Sequence, residues 1–224
     1  MKKILLIGGA GYVGTVISSH FLKIGFSVVV MDNFIYNNQF SISPFVGDPN
    51  YSIFYGDITN SSNLDKVSQD ITDVIILAGL VGDPITKKYP QQSEIINENG
   101  IRNCIDYFSG KGLNKLVFIS TCSNYGLIGE NELATEEFEL KPLSSYASAK
   151  VTNEKYLLSK KNKVDYSGVI LRFSTAFGLS PRMRFDLSVS EFVRDMFFQK
   201  ELIVYDENTW RPYCHVRDFA RLLE

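Results

Sequence analysis

The stretch Lys3-Ile4-Leu5-Leu6-Ile7-Gly8-Gly9-Ala10-Gly11-Tyr12-Val13-Gly14 decides how this chain is read. Ile4 to Ile7 form an apolar run without polar alternation, as a strand covered on both faces does. Glycines spaced G-x-x-G-x-x-G follow, at Gly8, Gly11 and Gly14, and a helical pattern opens at Tyr12. Glycine permits the tight turn and lets the backbone approach a pyrophosphate without a Cβ in the way. The helix N-terminus adds free N–H groups and a positive dipole end. A glycine motif alone says little; this one lies between a strand and a helix, with a second strand after it. That second strand, expected over 28–31, ends at Met31-Asp32-Asn33. An acid there accepts the hydroxyls of an adenosine ribose and repels a 2′-phosphate, so the expected cofactor is NAD rather than NADP. A plain turn aspartate is the alternative. Asp57, in Gly56-Asp57-Ile58, could hold the adenine amino group or serve only its own turn.

Working outward, short Val/Ile/Leu-rich runs alternate with longer amphipathic stretches. Further strands are expected over 52–55, 74–77, 116–120 and 169–171, and helices over 12–24, 63–69, 91–108, 144–160 and 187–199. Gly25 punctuates the first helix, Pro90 opens the third and Asp186 can cap the last. The alternation predicts an α/β fold with a parallel, doubly wound sheet. The long irregular stretches are 33–50 and 127–142.

Composition narrows the function. The chain has 224 residues, 45% of them hydrophobic and 21% charged, with a formal net charge of -2. A chain without a basic field is not expected to bind nucleic acid. Cys104, Cys122 and Cys214 are odd in number and far apart, with neither a metal spacing nor a disulfide framework, which suits the cytoplasm. Met1-Lys2-Lys3 before an apolar run has the look of a secretory signal, but the glycines interrupt it and no small-residue cleavage site follows. No apolar stretch reaches the ~18 residues of a membrane span.

Tyr146-Ala147-Ser148-Ala149-Lys150 falls on an expected helix, where positions i and i+4 share one face. A free tyrosine has a pKa near ~10 and is a poor base at neutral pH. A nearby ammonium favours its phenolate. Tyr146 could then take a proton from a substrate hydroxyl, and Lys150 could also bind the nicotinamide ribose. Ser120-Thr121-Cys122-Ser123 ends a strand, where a hydroxyl faces the ligand crevice. Thr121 could orient the reacting oxygen. Each of these patterns is common alone; together they form a constellation.

From Gly8 to Asp218 the chain resembles the extended short-chain dehydrogenases, the NAD-dependent epimerase/dehydratase family acting on nucleoside-diphosphate sugars. The resemblance implies a Rossmann fold. It implies catalytic roles for Thr121, Tyr146 and Lys150. It implies cofactor contacts at Gly8, Gly11, Tyr12, Val13, Gly14, Asp32, Asn33, Asp57, Ile58, the turn Leu77-Ala78-Gly79, Asn97, Tyr146 and Lys150. It implies substrate contacts at Ser123, at Thr175 in Arg172-Phe173-Ser174-Thr175, and at Arg211 in Trp210-Arg211-Pro212, which would grip the diphosphate. Arg182 and Arg184 read as a solvated loop, and His215 as a structural hydrogen-bonding residue. Family members often form homodimers through the helices corresponding to 91–108 and 144–160.

The departures are informative. The family's 4,6-dehydratases carry Asp-Glu after the catalytic Thr, whereas this chain has Cys122-Ser123. The resemblance therefore points to oxidation or epimerisation at C4 rather than dehydration. The stretches 80–84 and 180–186 resemble a subgroup tied to surface polysaccharide sugars. The final residues, 215–224, open a helical pattern that stops without a cap, so residues 1–178 are expected to form the NAD domain and 179–224 an incomplete substrate lobe. A non-catalytic NAD-binding sensor, or an inactive remnant, is the competing reading.

Overall fold

Strand β1 (Lys3–Ile7) buries Ile4 to Ile7, and a strand with no exposed apolar side chain needs cover on both faces. The computed structural model describes residues 2–129, 132–204 and 207–224. The expected irregular stretch 127–142 therefore includes two positions, 130 and 131, outside the described residues. Strands β2 (Ser27–Asp32), β3 (Tyr51–Tyr55), β4 (Asp73–Ile76), β5 (Lys115–Thr121) and β6 (Ser167–Phe173) join β1 in one six-stranded sheet of order β3-β2-β1-β4-β5-β6. Every pairing is parallel. This is the doubly wound sheet expected from the alternation. The chain leaves β1 toward β2 on one side and later returns to β4 on the other, so a crevice opens past the ends of β1 and β4. Strands β7 (Thr175–Phe177) and β8 (Tyr213–His215) form a separate parallel pair beyond β6.

The helices are α1 (Tyr12–Lys23), α2 (Ser61–Asp65), α3 (Asp83–Lys88), α4 (Pro90–Glu94), α5 (Ile101–Tyr107), α6 (Ser145–Ser159), α7 (Ser188–Phe197) and α8 (Val216–Leu222). Strand residues alternate between two apolar cores. Leu5 and Ile7 pack with Leu64 of α2, Ile101 and Ile105 of α5, and Leu157 of α6. Ile4 and Leu6 pack with Ile17 and Phe21 of α1 and with Val216 and Ala220 of α8. Each such fully buried aliphatic side chain contributes roughly 1.5–3 kcal/mol.

Two expectations are corrected. The span 91–108 is not one regular helix: α4 passes into a π turn, Ile95–Gly100, before α5. Within that turn, Asn97 commits its side chain to the Leu80 backbone. Asp186 does not cap the helix after it. Leu187 occupies the cap position of α7 without a side-chain bond, and the Asp186 carboxylate pairs with Arg184 instead. The stretch 33–50 contains a 3₁₀ segment, Gln39–Phe45, that anchors it. Asn38 Nδ2 and Ser41 Oγ both donate to the Ala10 carbonyl, at 2.7 and 2.8 Å, tying this segment to the glycine loop. No helix among the described residues is long and apolar enough to cross a membrane.

Candidate active site

The glycines of the β1–α1 loop do different work. Gly8 has φ +80°, and a Cβ there would lie 2.6 Å from the Ala78 backbone past the end of β4. A Cβ on Gly14 would lie 2.5 Å from the Gly9 carbonyl oxygen, so Gly14 lets α1 pack on its own loop. Gly11 is different: the Gly8 carbonyl oxygen, at 3.5 Å, is the nearest atom a Cβ would meet. The protein does not need Gly11 bare for its own packing. Gly11 is the cap residue of α1 and no side chain caps that end, leaving the first N–H groups, from Tyr12 onward, to face the crevice.

Acidic side chains flank this loop. Asp32, at the end of β2, accepts Ala10 N–H at 3.0 Å and Phe34 N–H at 2.8 Å. Burial raises its pKa, against those bonds and the nearby charge of Arg182. Asp57 is only partly buried; burial pushes its pKa up, but bonds from Thr59 N–H, the Thr59 hydroxyl and Asn33 outweigh that and lower it. Ile58, next to it, is buried against Gly100. Asn97 does not reach toward the loop. It pins the turn after β4 by accepting Leu80 N–H at 2.7 Å and donating to the Leu80 carbonyl at 3.0 Å. Gly79 in that turn has φ +155°, with Asn97 Oδ1 2.9 Å from where a Cβ would lie. Leu77 and Ala78 donate to the Ile7 carbonyl, both at 2.8 Å, closing the turn onto β1.

Ser144 caps α6 by accepting Ala147 N–H at 3.2 Å, which sets the phase of the helix carrying Tyr146 and Lys150. Lys150 is 6% exposed. Its ammonium donates to the Ile119 carbonyl at 2.7 Å and lies 4.6 Å from the Phe118 ring centre and 5.8 Å from that of Tyr146. Burial lowers its pKa to about 8, against the pull of the Glu154 carboxylate. Thr121 ends β5, two residues past Ile119, and its hydroxyl accepts Ser123 N–H at 3.2 Å. Lys150, with the Tyr146 ring near it, therefore meets β5 two residues before Thr121.

On the far side, Thr175 stands in β7 and its N–H donates to the Pro212 carbonyl at 3.1 Å, so Arg211 is carried beside it. Arg211 is exposed, and its charge opposes the burial that raises the Cys122 thiol pKa, placing it toward the Thr121 end of the crevice. Ser123 is exposed. His215 caps α8 by accepting Arg217 N–H at 3.2 Å, a structural use.

Arg182 and Arg184 depart from the solvated-loop reading. The 178–184 loop is tied to the start of α1: Tyr12 Oη donates to the Gly178 carbonyl at 2.6 Å, and Ser180 Oγ donates to the Tyr12 carbonyl at 2.7 Å. Arg182 lies 5.3 Å from the Tyr36 ring centre. The Arg184 side chain is 19% exposed and bonds Asp186 at 2.5 Å. Burial disfavours its charge, but Asp186 holds the guanidinium pKa above its usual range, with Tyr146 and Tyr36 adding to the effect. Arg184 is thus a second cation acting on Tyr146.

A buried polar network behind the site was not visible in the sequence. Glu154, 1% exposed, accepts from Ser120 Oγ at 2.5 Å, from Asn124 Nδ2 at 2.7 Å and from Arg172 Nη2 at 2.7 Å. Arg172 also donates to Tyr125 Oη at 3.1 Å and to the Glu136 carbonyl at 2.9 Å. The one available signal was a Glu four residues after Lys150, on the same helical face.

The chain matches the NAD dependent epimerase/dehydratase family over residues 4–224. It is 26% identical over 226 residues to UDP-glucuronate 4-epimerase of Thermodesulfobacterium geofontis, covering 97% of this chain and 69% of that protein. It is 29% identical over 191 residues to UDP-glucose 4-epimerase 2 of Oryza sativa subsp. japonica, covering 81% of this chain. The match spans about half of the rice protein, 46% of its length. Among solved structures, UDP-glucuronic acid 4-epimerase from Bacillus cereus, in complex with UDP-glucuronic acid and NAD, aligns with a TM-score of 0.88 at 27% identity. That alignment covers 98% of this chain and 71% of that one.

Proposed function

Because this chain belongs to the NAD dependent epimerase/dehydratase family, we propose that it binds NAD at the crevice past β1 and β4 and oxidises C4 of a nucleoside-diphosphate sugar. The ketone is either kept or reduced again from the other face of the ring, which makes the protein a dehydrogenase or a 4-epimerase. NAD, when bound, supplies the two-electron acceptor.

The residues present fit a dinucleotide. Gly11 leaves open space where Gly8 and Gly14 do not, and bare backbone at Gly11 with the N–H groups of Tyr12, Val13 and Gly14 suits a pyrophosphate. Each Asp32 oxygen accepts one backbone N–H and keeps a further acceptor site for a ribose hydroxyl. Its charge disfavours a 2′-phosphate, so NAD is preferred to NADP. Asn33, Asp57 and Ile58 line the adenine end. The Leu77-Ala78-Gly79 turn, held by Asn97, floors the crevice, and Tyr146 and Lys150 reach the nicotinamide ribose.

Tyr146 is assigned the proton transfer at the C4 hydroxyl. The Lys150 ammonium and the Arg184 guanidinium favour its phenolate. Thr121 orients the reacting oxygen. Ser123, Thr175 and Arg211 hold the sugar nucleotide, and a guanidinium at Arg211 suits bidentate contact with a diphosphate. Residues 179–215 are assigned to a substrate lobe, whereas α8, expected in that lobe, packs with α1 and β1; the working form is a cytoplasmic homodimer.

The observation that carries this reading is the bond from Lys150 to Ile119, which docks the tyrosine-bearing helix against the strand that ends in Thr121. The experiment is turnover of a panel of UDP-, GDP- and dTDP-sugars by the purified protein with NAD. Formation of a 4-keto sugar or a 4-epimer supports the proposal. No product from any sugar, with NAD bound, would leave a sensor as the better reading.

A further inference from the structure

Lys150 and Glu154 lie four residues apart, so they share one face of α6. They meet consecutive residues of β5: Lys150 donates to the Ile119 carbonyl at 2.7 Å, and Glu154 accepts from Ser120 Oγ at 2.5 Å. The next strand residue is Thr121. A carboxylate this deeply buried is normally neutralised unless it is paired and bonded. Glu154 has both: Arg172 at 2.7 and 3.1 Å, and Asn124 at 2.7 Å. A buried ion pair of this kind is weak evidence for stability, since apolar replacements often do as well. Its position beside a buried ammonium points to another use.

Among the described residues, these charged and titratable groups belong to the elements packed around Lys150. Tyr146 and Glu154 come from its own helix. Arg172 comes from β6, with Tyr125 behind it, and β5 faces it with the Ile119 carbonyl and the Phe118 ring. The π turn meets α6 through its backbone, where Asn153 Nδ2 donates to the Asn97 carbonyl. Glu154 is the anionic member of this set.

We propose that Glu154, fixed by Arg172, is a positioning residue that keeps Lys150 protonated and holds the end of β5 in register with α6. Its catalytic meaning rests on the function proposed above; its effect on Lys150 does not.

The test is the melting temperature of the protein without added cofactor, measured from about pH 6 to about pH 10 for wild type, Glu154→Gln and Arg172→Gln. A lysine whose folded pKa lies below its unfolded value leaves the unfolded chain with more protons between the two, so stability climbs with pH across that window. In wild type the climb starts near the Lys150 value of about 8. Glu154→Gln removes the carboxylate that favours the Lys150 charge, and the climb is expected to start about one unit lower. Arg172→Gln removes a cation, and the climb is expected to start higher. Shifts of opposite sign are a signature that a merely structural pair does not produce. Curves that start to climb at the same pH overturn the proposal, and so does failure of both variants to fold even with NAD present. If one variant folds, its shift decides alone. Shifted curves in a protein that turns over no sugar would sink the enzyme reading and leave this one standing.

Discussion

The Lys150 ammonium donates to the Ile119 carbonyl across 2.7 Å while only 6% of the residue is exposed. One carbonyl and an aromatic face are thin solvation for a full charge, which is why its pKa falls to about 8. The charge is held at that cost 5.8 Å from the Tyr146 ring centre.

That cost is measurable. Between about 8 and the unfolded value near ~10.4 the unfolded chain binds the extra proton, so stability climbs with pH in wild type. Lys150→Met removes the titration and fills the same space. It is expected to abolish the climb and, at neutral pH, to melt at or above the wild-type temperature, while sugar turnover falls at least ~10²-fold. Calorimetry and a product assay on the same preparation check both halves.

The glycines separate folding from binding. Gly14→Ala places a Cβ 2.5 Å from the Gly9 carbonyl, so it is expected to lower the melting temperature of the cofactor-free protein by several degrees. Gly11→Ala meets nothing nearer than 3.5 Å and is expected to change that temperature little, yet to weaken NAD binding at least ~10-fold, about 1.4 kcal/mol. Thermal melts with and without NAD distinguish the two.

Asp32→Ala removes the acceptor of Ala10 N–H and Phe34 N–H. It also removes the proposed acceptor of a ribose hydroxyl; a bond to a charged group is worth about 1.5–3 kcal/mol, so NAD affinity is expected to fall ~10–100-fold. The preference for NAD over NADP is expected to shrink as well, because the repelling charge is gone. Titration calorimetry with the two dinucleotides measures it.

Arg184→Gln tests the second cation. Asp186 holds the guanidinium within electrostatic reach of Tyr146. Its removal is expected to lower kcat/KM ~10-fold or more with NAD affinity unchanged. Steady-state kinetics beside an NAD titration separate these effects.

Much of this architecture is legible in the residues. The strand β1 bounds agree with the apolar run, and the glycine spacing places α1 to within a residue at each end, because local sterics and burial act there in the same direction. The rest depends on distant partners. The resemblance implies a cofactor contact at Asn97, and only the turn at Leu80, brought to it by the fold, reveals the partner its side chain holds. Glu154 and Arg172 look like a helix charge and a strand charge; only the pairing of β5 with β6 buries them together. Arg184 reads as solvated because nothing in the local sequence shows that Tyr12 and Ser180 anchor its loop over the crevice.

The most direct test mixes NAD-loaded protein with each of several UDP-, GDP- and dTDP-sugars and follows the absorbance of reduced nicotinamide, for wild type and Tyr146→Phe. Wild type is expected to show the signal or form product with at least one sugar, whereas Tyr146→Phe binds NAD equally well and reacts at least ~10²-fold more slowly. Equal rates in the two proteins would contradict the assignment of Tyr146 as the group that moves the proton.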